Sequence, residues 1–200
     1  MRFVWVPIIL WMGFVSLEKG WSQDLTRYEV ALNQMRLLEA TFFEQNSQGQ
    51  QATGTLYMVR PEPGTGHPFG NLKLDYDPPK QMEILANGTH LMLRENFSEE
   101  AQGTPIEATP VAFLLRPTIA FKQDVIIQAI RRDKTHTAIT VCQAKNPDAG
   151  SLTLVFEENP VRLKRWVVTD PQGVQTQVTL TKISINQKIP RHKLQWKNPK

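Results

Sequence analysis

What the chain lacks narrows it first. A single cysteine, Cys142, allows no intramolecular disulfide, so a fold of 200 residues must stand on its apolar core. Flanked as ITVCQA, Cys142 reads as a buried strand residue rather than a nucleophile. There is no G-x-S-x-G elbow, H-E-x-x-H, C-x-x-C or lysine-bearing phosphate loop, and His67, His90, His136 and His192 stand far apart. No enzyme, metal or cofactor is expected. The stretch GTGHPFG lacks the spacing of a dinucleotide loop and lies between two strands, so it reads as a long hairpin loop. Asp75 and Asp77 share a strand face, yet no histidine or second acidic pair completes a metal set, which leaves a solvated sheet face. The formal charge is only +4 and the basic residues are scattered, which argues against nucleic acid as a partner.

What is present begins with an export signal. Arg2 precedes an apolar stretch from Phe3 to Leu17, and Gly20 and Ser22 stand three and one positions before a cut that would leave Gln23 first. A membrane anchor is the rival reading, but 15 residues interrupted by Pro7 and Gly13 fall short of the roughly 20 needed to span a bilayer. The expected organisation is a signal peptide over 1–22 and one domain over 23–200. With 40% apolar and 21% charged residues and no low-complexity block, that domain can bury a core.

Leu25, Tyr28, Leu32, Met35 and Leu38 recur at spacings of three or four and predict an N-terminal helix. After TFFEQ the rhythm changes to short strand-favouring runs between Gly, Pro, Asn and Asp clusters. Strands are expected over 53–60, 70–77, 80–86, 89–95, 134–143, 150–157, 161–169, 174–186 and 193–197. Asn87-Gly88 suits a two-residue hairpin and DPQG, 170–173, a type I turn. Short connections imply an antiparallel sheet that curls to hide its edges. Residues 97–131 break the pattern. There Thr109 and Pro110 can open a helix over VAFLL, giving short helices on the concave side, as a fixed plug or a movable lid.

The blocks TFFEQ, GTLYMVRP, LKLDYDPP, ILANGTHLML, TPVAFLL and VTDPQGVQTQVTLTKISIN, in that order behind an export signal, resemble the periplasmic outer-membrane lipoprotein carrier family, LolA. The resemblance implies a mainly β fold, an incomplete antiparallel barrel with an N-terminal helix and a helical lid over an apolar cavity for acyl chains. It implies a periplasmic monomer whose partners are acylated lipoproteins, an ATP-driven inner-membrane release transporter, and an outer-membrane receptor or the outer membrane itself. Arg60 matches the family's Arg-Pro block, whose arginine bonds lid backbone in the closed state. The expected latch therefore joins Arg60 to carbonyls near Leu114 and Leu115. Strand alternation nominates Leu56, Met58, Leu72, Leu74, Tyr76, Leu152, Leu154, Phe156, Trp166 and Val168 for the cavity, with Phe113 and Leu114 from the lid, without saying which sheet face is inside.

Two departures stand out. EPGTGHPFGN intervenes after Arg60-Pro61, and Leu74 occupies a position that is aromatic in the family. A lipid-anchored receptor on the same barrel would need a cysteine near the cleavage point, and none is there. A periplasmic sensor that reads lipid or peptide remains the alternative function.

Overall fold

The computed structural model describes residues 18–197 except 97 and 99, and for 18–24 and 124 it describes the backbone alone. The expected leader, 1–22, falls largely outside them. Among the described residues no helix is long and apolar enough to cross a membrane.

Helix α1, Glu18–Gln34, is followed by strands β1 (Leu37–Asn46), β2 (Gln51–Val59), β3 (Asn71–Tyr76), β4 (Met82–Asn87), β5 (His90–Glu95) and β6 (Gln102–Pro105). After the crossover come β7 (Val125–Arg132), β8 (His136–Gln143), β9 (Ser151–Glu158), β10 (Val161–Thr169) and β11 (Gln175–Ile185). All pair antiparallel in one 11-stranded sheet, ordered β6-β5-β4-β3-β2-β1-β11-β10-β9-β8-β7. Each half is a meander, and the halves meet where β1 pairs with β11. The sheet stays open between β6 and β7, and the segment joining those edge strands crosses the opening. It holds two 3-10 turns, Ile106–Ala108 and Pro110–Leu115, and the one-turn helix α2, Phe121–Asp124.

Alternation decides the faces. Along β1 the buried positions are Leu38, Ala40, Phe42 and Glu44. Cross-strand partners continue that face, with Leu38 opposite Met58, Ala40 opposite Leu56, Leu56 opposite Leu74 and Phe42 opposite Leu180. The apolar stripe of α1 packs on the same concave surface, with Tyr28 4.8 Å from Phe156, ring centre to ring centre. Phe42 also explains a small residue: a Cβ on Gly54 would run into its ring and into the Asp75 carbonyl.

Four expectations need correction. Leu38 does not extend the helix, since α1 ends at Gln34 and β1 begins at Leu37. Strand β6 and all of β7 but its last residue lie inside 97–131, the stretch expected to hold short helices and no strand. Thr109 makes no side-chain cap, because its hydroxyl donates back to the Ile106 carbonyl, and the turn after it is 3-10. Residues 193–197 do not form a strand. A 3-10 turn, Arg191–Leu194, leads into an irregular arm laid over the convex face.

That arm covers a buried charge cluster. Lys73 Nζ lies 2.7 Å from Glu83 Oε1, and Arg94 Nε donates to Glu83 Oε2 at 3.1 Å. The arm's backbone completes the set: Lys73 donates to the Gln195 carbonyl, Arg94 to the Lys197 carbonyl, and Lys197 N–H to Glu83. The Trp196 ring stacks on the Arg94 guanidinium.

Candidate functional site

Arg60 follows β2 in phase with Leu56 and Met58, so the two-residue period turns it to the concave face. Pro61 comes next, without an N–H to extend the ladder. The side chain is 3% exposed and has five N–H donors to satisfy. Each has an acceptor. Nε donates to the Arg116 carbonyl at 2.8 Å and Nη2 to the Pro117 carbonyl at 3.2 Å. Nη1 donates to the carbonyls of Leu32 at 2.6 Å and Met35 at 3.5 Å, and Nη2 also reaches Asn33 Oδ1 at 3.1 Å. The guanidinium therefore sits between the crossover segment and the C-terminal end of α1, where helix carbonyls lack intrahelical donors.

The acceptors lie one step beyond those anticipated. Arg116 and Pro117 receive Arg60, while the Leu115 carbonyl takes the Gly70 N–H at 2.8 Å. Burial, with Arg36 as a like charge nearby, pushes the Arg60 pKa down to about 10, so it remains a cation at neutral pH. Its contacts are carbonyls and an amide, which match its donors without neutralising its charge.

Further ties hold the crossover down. Asn33 clasps the backbone of Ile119, donating to its carbonyl and accepting its N–H, both at 2.9 Å. Glu29 accepts the Phe121 N–H at 2.7 Å, and the Gln143 amide donates to the Thr109 carbonyl. Arg36 donates to the Pro117 carbonyl at 3.3 Å and pairs with Glu62 at 3.0 Å. None of Glu29, Asn33 and Arg36 was singled out from the sequence. Glu29 and Asn33, four apart, form a polar stripe beside the apolar one on α1, and that was the available signal; Arg36 lies past the end of the helix.

Beneath this polar frame Val111, Ala112, Phe113, Leu114 and Leu115 are all buried. A turn apolar on every side has no solvent face, and this one fills the concave space. The nominated residues Leu56, Met58, Leu72, Leu74, Tyr76, Leu152, Leu154, Phe156 and Trp166 lie in one core cluster with Phe113 and Leu114, and Val168 packs against it half-buried. At the far end of the interior the Tyr76 hydroxyl donates to Glu44, which also accepts from Lys80 at 3.0 Å. Burial and the Glu44 charge push the Tyr76 pKa up, so the hydroxyl keeps its proton. Among the described residues no group of histidine, cysteine and carboxylate side chains is placed to hold a metal.

A family model described as "Outer membrane lipoprotein carrier protein LolA" matches residues 33–197. A search of curated proteins finds no match. Among solved structures, a putative outer membrane lipoprotein-sorting protein domain from Vibrio parahaemolyticus aligns with TM-score 0.50 and 6% identity, over 86% of this chain and 94% of that one. A LolA superfamily protein from Nitrosomonas europaea gives TM-score 0.49 and 6% identity over 88% and 97%. The MucA/MucB complex of Pseudomonas aeruginosa gives TM-score 0.48 and 12% identity over 88% of this chain and 60% of that one.

Proposed function

Because this chain belongs to the LolA family of outer membrane lipoprotein carrier proteins, we propose that it is a periplasmic carrier that takes the acyl chains of lipoproteins released from the inner membrane and delivers them to the outer membrane. Its partners are then the acylated cargo, an ATP-driven release transporter, and an outer-membrane receptor or the membrane itself. The protein acts as a monomer and catalyses no reaction.

The observation that carries this reading is the pairing of an apolar plug with a polar frame. Val111 to Leu115 occupy the concave space, and the segment bearing them is held by hydrogen bonds at its margins. Such a lid can leave without breaking the sheet. Magnitudes allow the exchange: four large side chains at about 2 kcal/mol each contribute roughly 8 kcal/mol. One acyl chain of roughly 15 methylenes, at about 0.8 kcal/mol each, offers about 12 kcal/mol. A triacylated cargo therefore outcompetes the plug, and the plug offsets part of the affinity, which favours delivery.

The test is incubation with membranes bearing triacylated lipoprotein, the release transporter and ATP, followed by native mass spectrometry. A soluble one-to-one complex that needs both acylation and ATP supports the carrier. Free lipid or peptide bound instead, with no such complex, replaces it with the sensor reading.

A further inference from the structure

The inward face of β1 is apolar from Leu38 to Phe42 and then ends in a carboxylate, Glu44, which is 8% exposed. Tyr76 reaches it from β3 and donates its hydroxyl to one oxygen. Lys80 donates to the other at 3.0 Å, with its amine 4.4 Å from the centre of the Tyr76 ring. Across the same level Val178 stands opposite Glu44 on β11, and Trp166 opposite Val178 on β10, both buried. Two large rings and a partnered carboxylate therefore close this end of the interior.

An apolar wall that served packing alone would finish with another aliphatic residue. An inward carboxylate must keep its donors, because burying it without them is costly. An acyl chain growing toward this end therefore meets a limit at Tyr76, where a further carbon has to part the hydroxyl from Glu44 or lie against a charge. The depth of that limit follows from the strand. Arg60 donates its N–H to the Arg36 carbonyl at 2.9 Å, so the latch stands level with Arg36, and Glu44 lies eight residues further along. At about 3.3 Å per residue the two ends are about 26 Å apart. Carbon–carbon bonds of about 1.52 Å meeting at about 111° advance about 1.25 Å per carbon, so about 20 carbons fill that distance.

We propose that Glu44, Tyr76 and Lys80 form a polar stop that sets the longest acyl chain the protein accepts, at about 20 carbons. The inference rests on the carrier reading and adds to it which cargo lipids fit. Shorter chains lie at full length against the apolar wall. Longer ones bend back toward the lid or leave their last carbons in water, and gain nothing from the extra length.

The experiment measures how well saturated fatty acids of graded length, shorter and longer than the limit, displace cis-parinaric acid from the purified protein. Affinity is expected to rise about fourfold with each methylene and to stop rising near 20 carbons. Replacing the stop by Glu44→Leu together with Tyr76→Leu should carry the rise past that length, so that the affinity ratio of a chain four carbons beyond the limit to one two carbons short of it increases at least about tenfold. Tyr76→Phe, which keeps the interior filled, should move the ratio the same way by less. A rise that continues evenly through the limit in the unaltered protein overturns the proposal without any variant. So does a ratio that neither variant moves while all chains weaken alike, as they would if the three residues only held the barrel end together. If cis-parinaric acid does not bind at all, the carrier reading fails and the stop with it, whereas a bound probe with an even rise strikes the stop alone.

Discussion

Arg60 is a cation buried among carbonyls, and its position makes it a lever. Hydrogen bonds to a charged group contribute about 1.5–3 kcal/mol each, and two of the five that Arg60 makes belong to the lid. If only about 2–3 kcal/mol of that total favours the shut state, cargo binds roughly 30- to 150-fold more weakly than it would otherwise. Arg60→Leu should therefore hold an acyl probe more tightly by that factor and deliver cargo poorly. A binding titration beside a transfer assay checks both, and equal delivery by the variant would sink the latch. A second lever is Glu83, 1% exposed on the convex face. Burial pushes its pKa up, but hydrogen bonds from Lys73, Arg94 and the Lys197 N–H outweigh burial and bring it below the usual value. The stability that Glu83 contributes is therefore complete above the ordinary carboxylate range and is lost as pH falls through the lowered pKa. Glu83→Gln leaves two buried cations without a counter-charge. A loss of about 3–5 kcal/mol near neutral pH is expected, with a flatter decline toward acid. Urea unfolding across a pH series measures both.

At the scale of elements, the lid is one unit hung from several neighbours, so its ties should break together. Hydrogen exchange offers the readout. The amides of Gly70, Ile119 and Phe121, which bond across the lid boundary, are expected to be protected in the empty protein and to exchange faster once acyl chains enter. Unchanged exchange at those amides would show that loading does not move the lid. Asn33→Ala should speed Ile119 without any cargo. How much of this was legible varied by element. Strands β2 to β5 and β8 to β11 announced themselves through alternation and turn residues. β1 did not, because Phe42 and Phe43 stand side by side and Glu44 faces inward, which blurs the two-residue period. β7 was hidden for a similar reason: its register slips between Ile127 and Ala129, so VIIQAIRR never alternates cleanly. The arm at 193–197 looked like a strand, but Lys73 and Arg94 take its carbonyls with side chains where a neighbouring strand would have used backbone. Arg60 was legible through the resemblance. Its acceptors on α1 were not, since nothing in the local sequence says that the end of a helix will arrive there.

At the scale of the molecule, the order of the strands carries a kinetic consequence. Each meander, β1 to β6 and β7 to β11, is built from neighbours close in sequence, and such pairings form early. The seam between them joins residues as far apart as Leu38 and Ile185, 147 positions along the chain (185 − 38). Loop closure of that length must precede any reward from the seam, so joining the halves is the expected slow step of refolding. A chain emerging from its N-terminal end meets the same order in time. The first meander appears with β1 as a bare edge, Phe42 on one face, and its partner strand is the last of the eleven described strands to follow. Until then that edge is open to the wrong neighbour, which makes the unfinished protein itself a candidate for chaperoning.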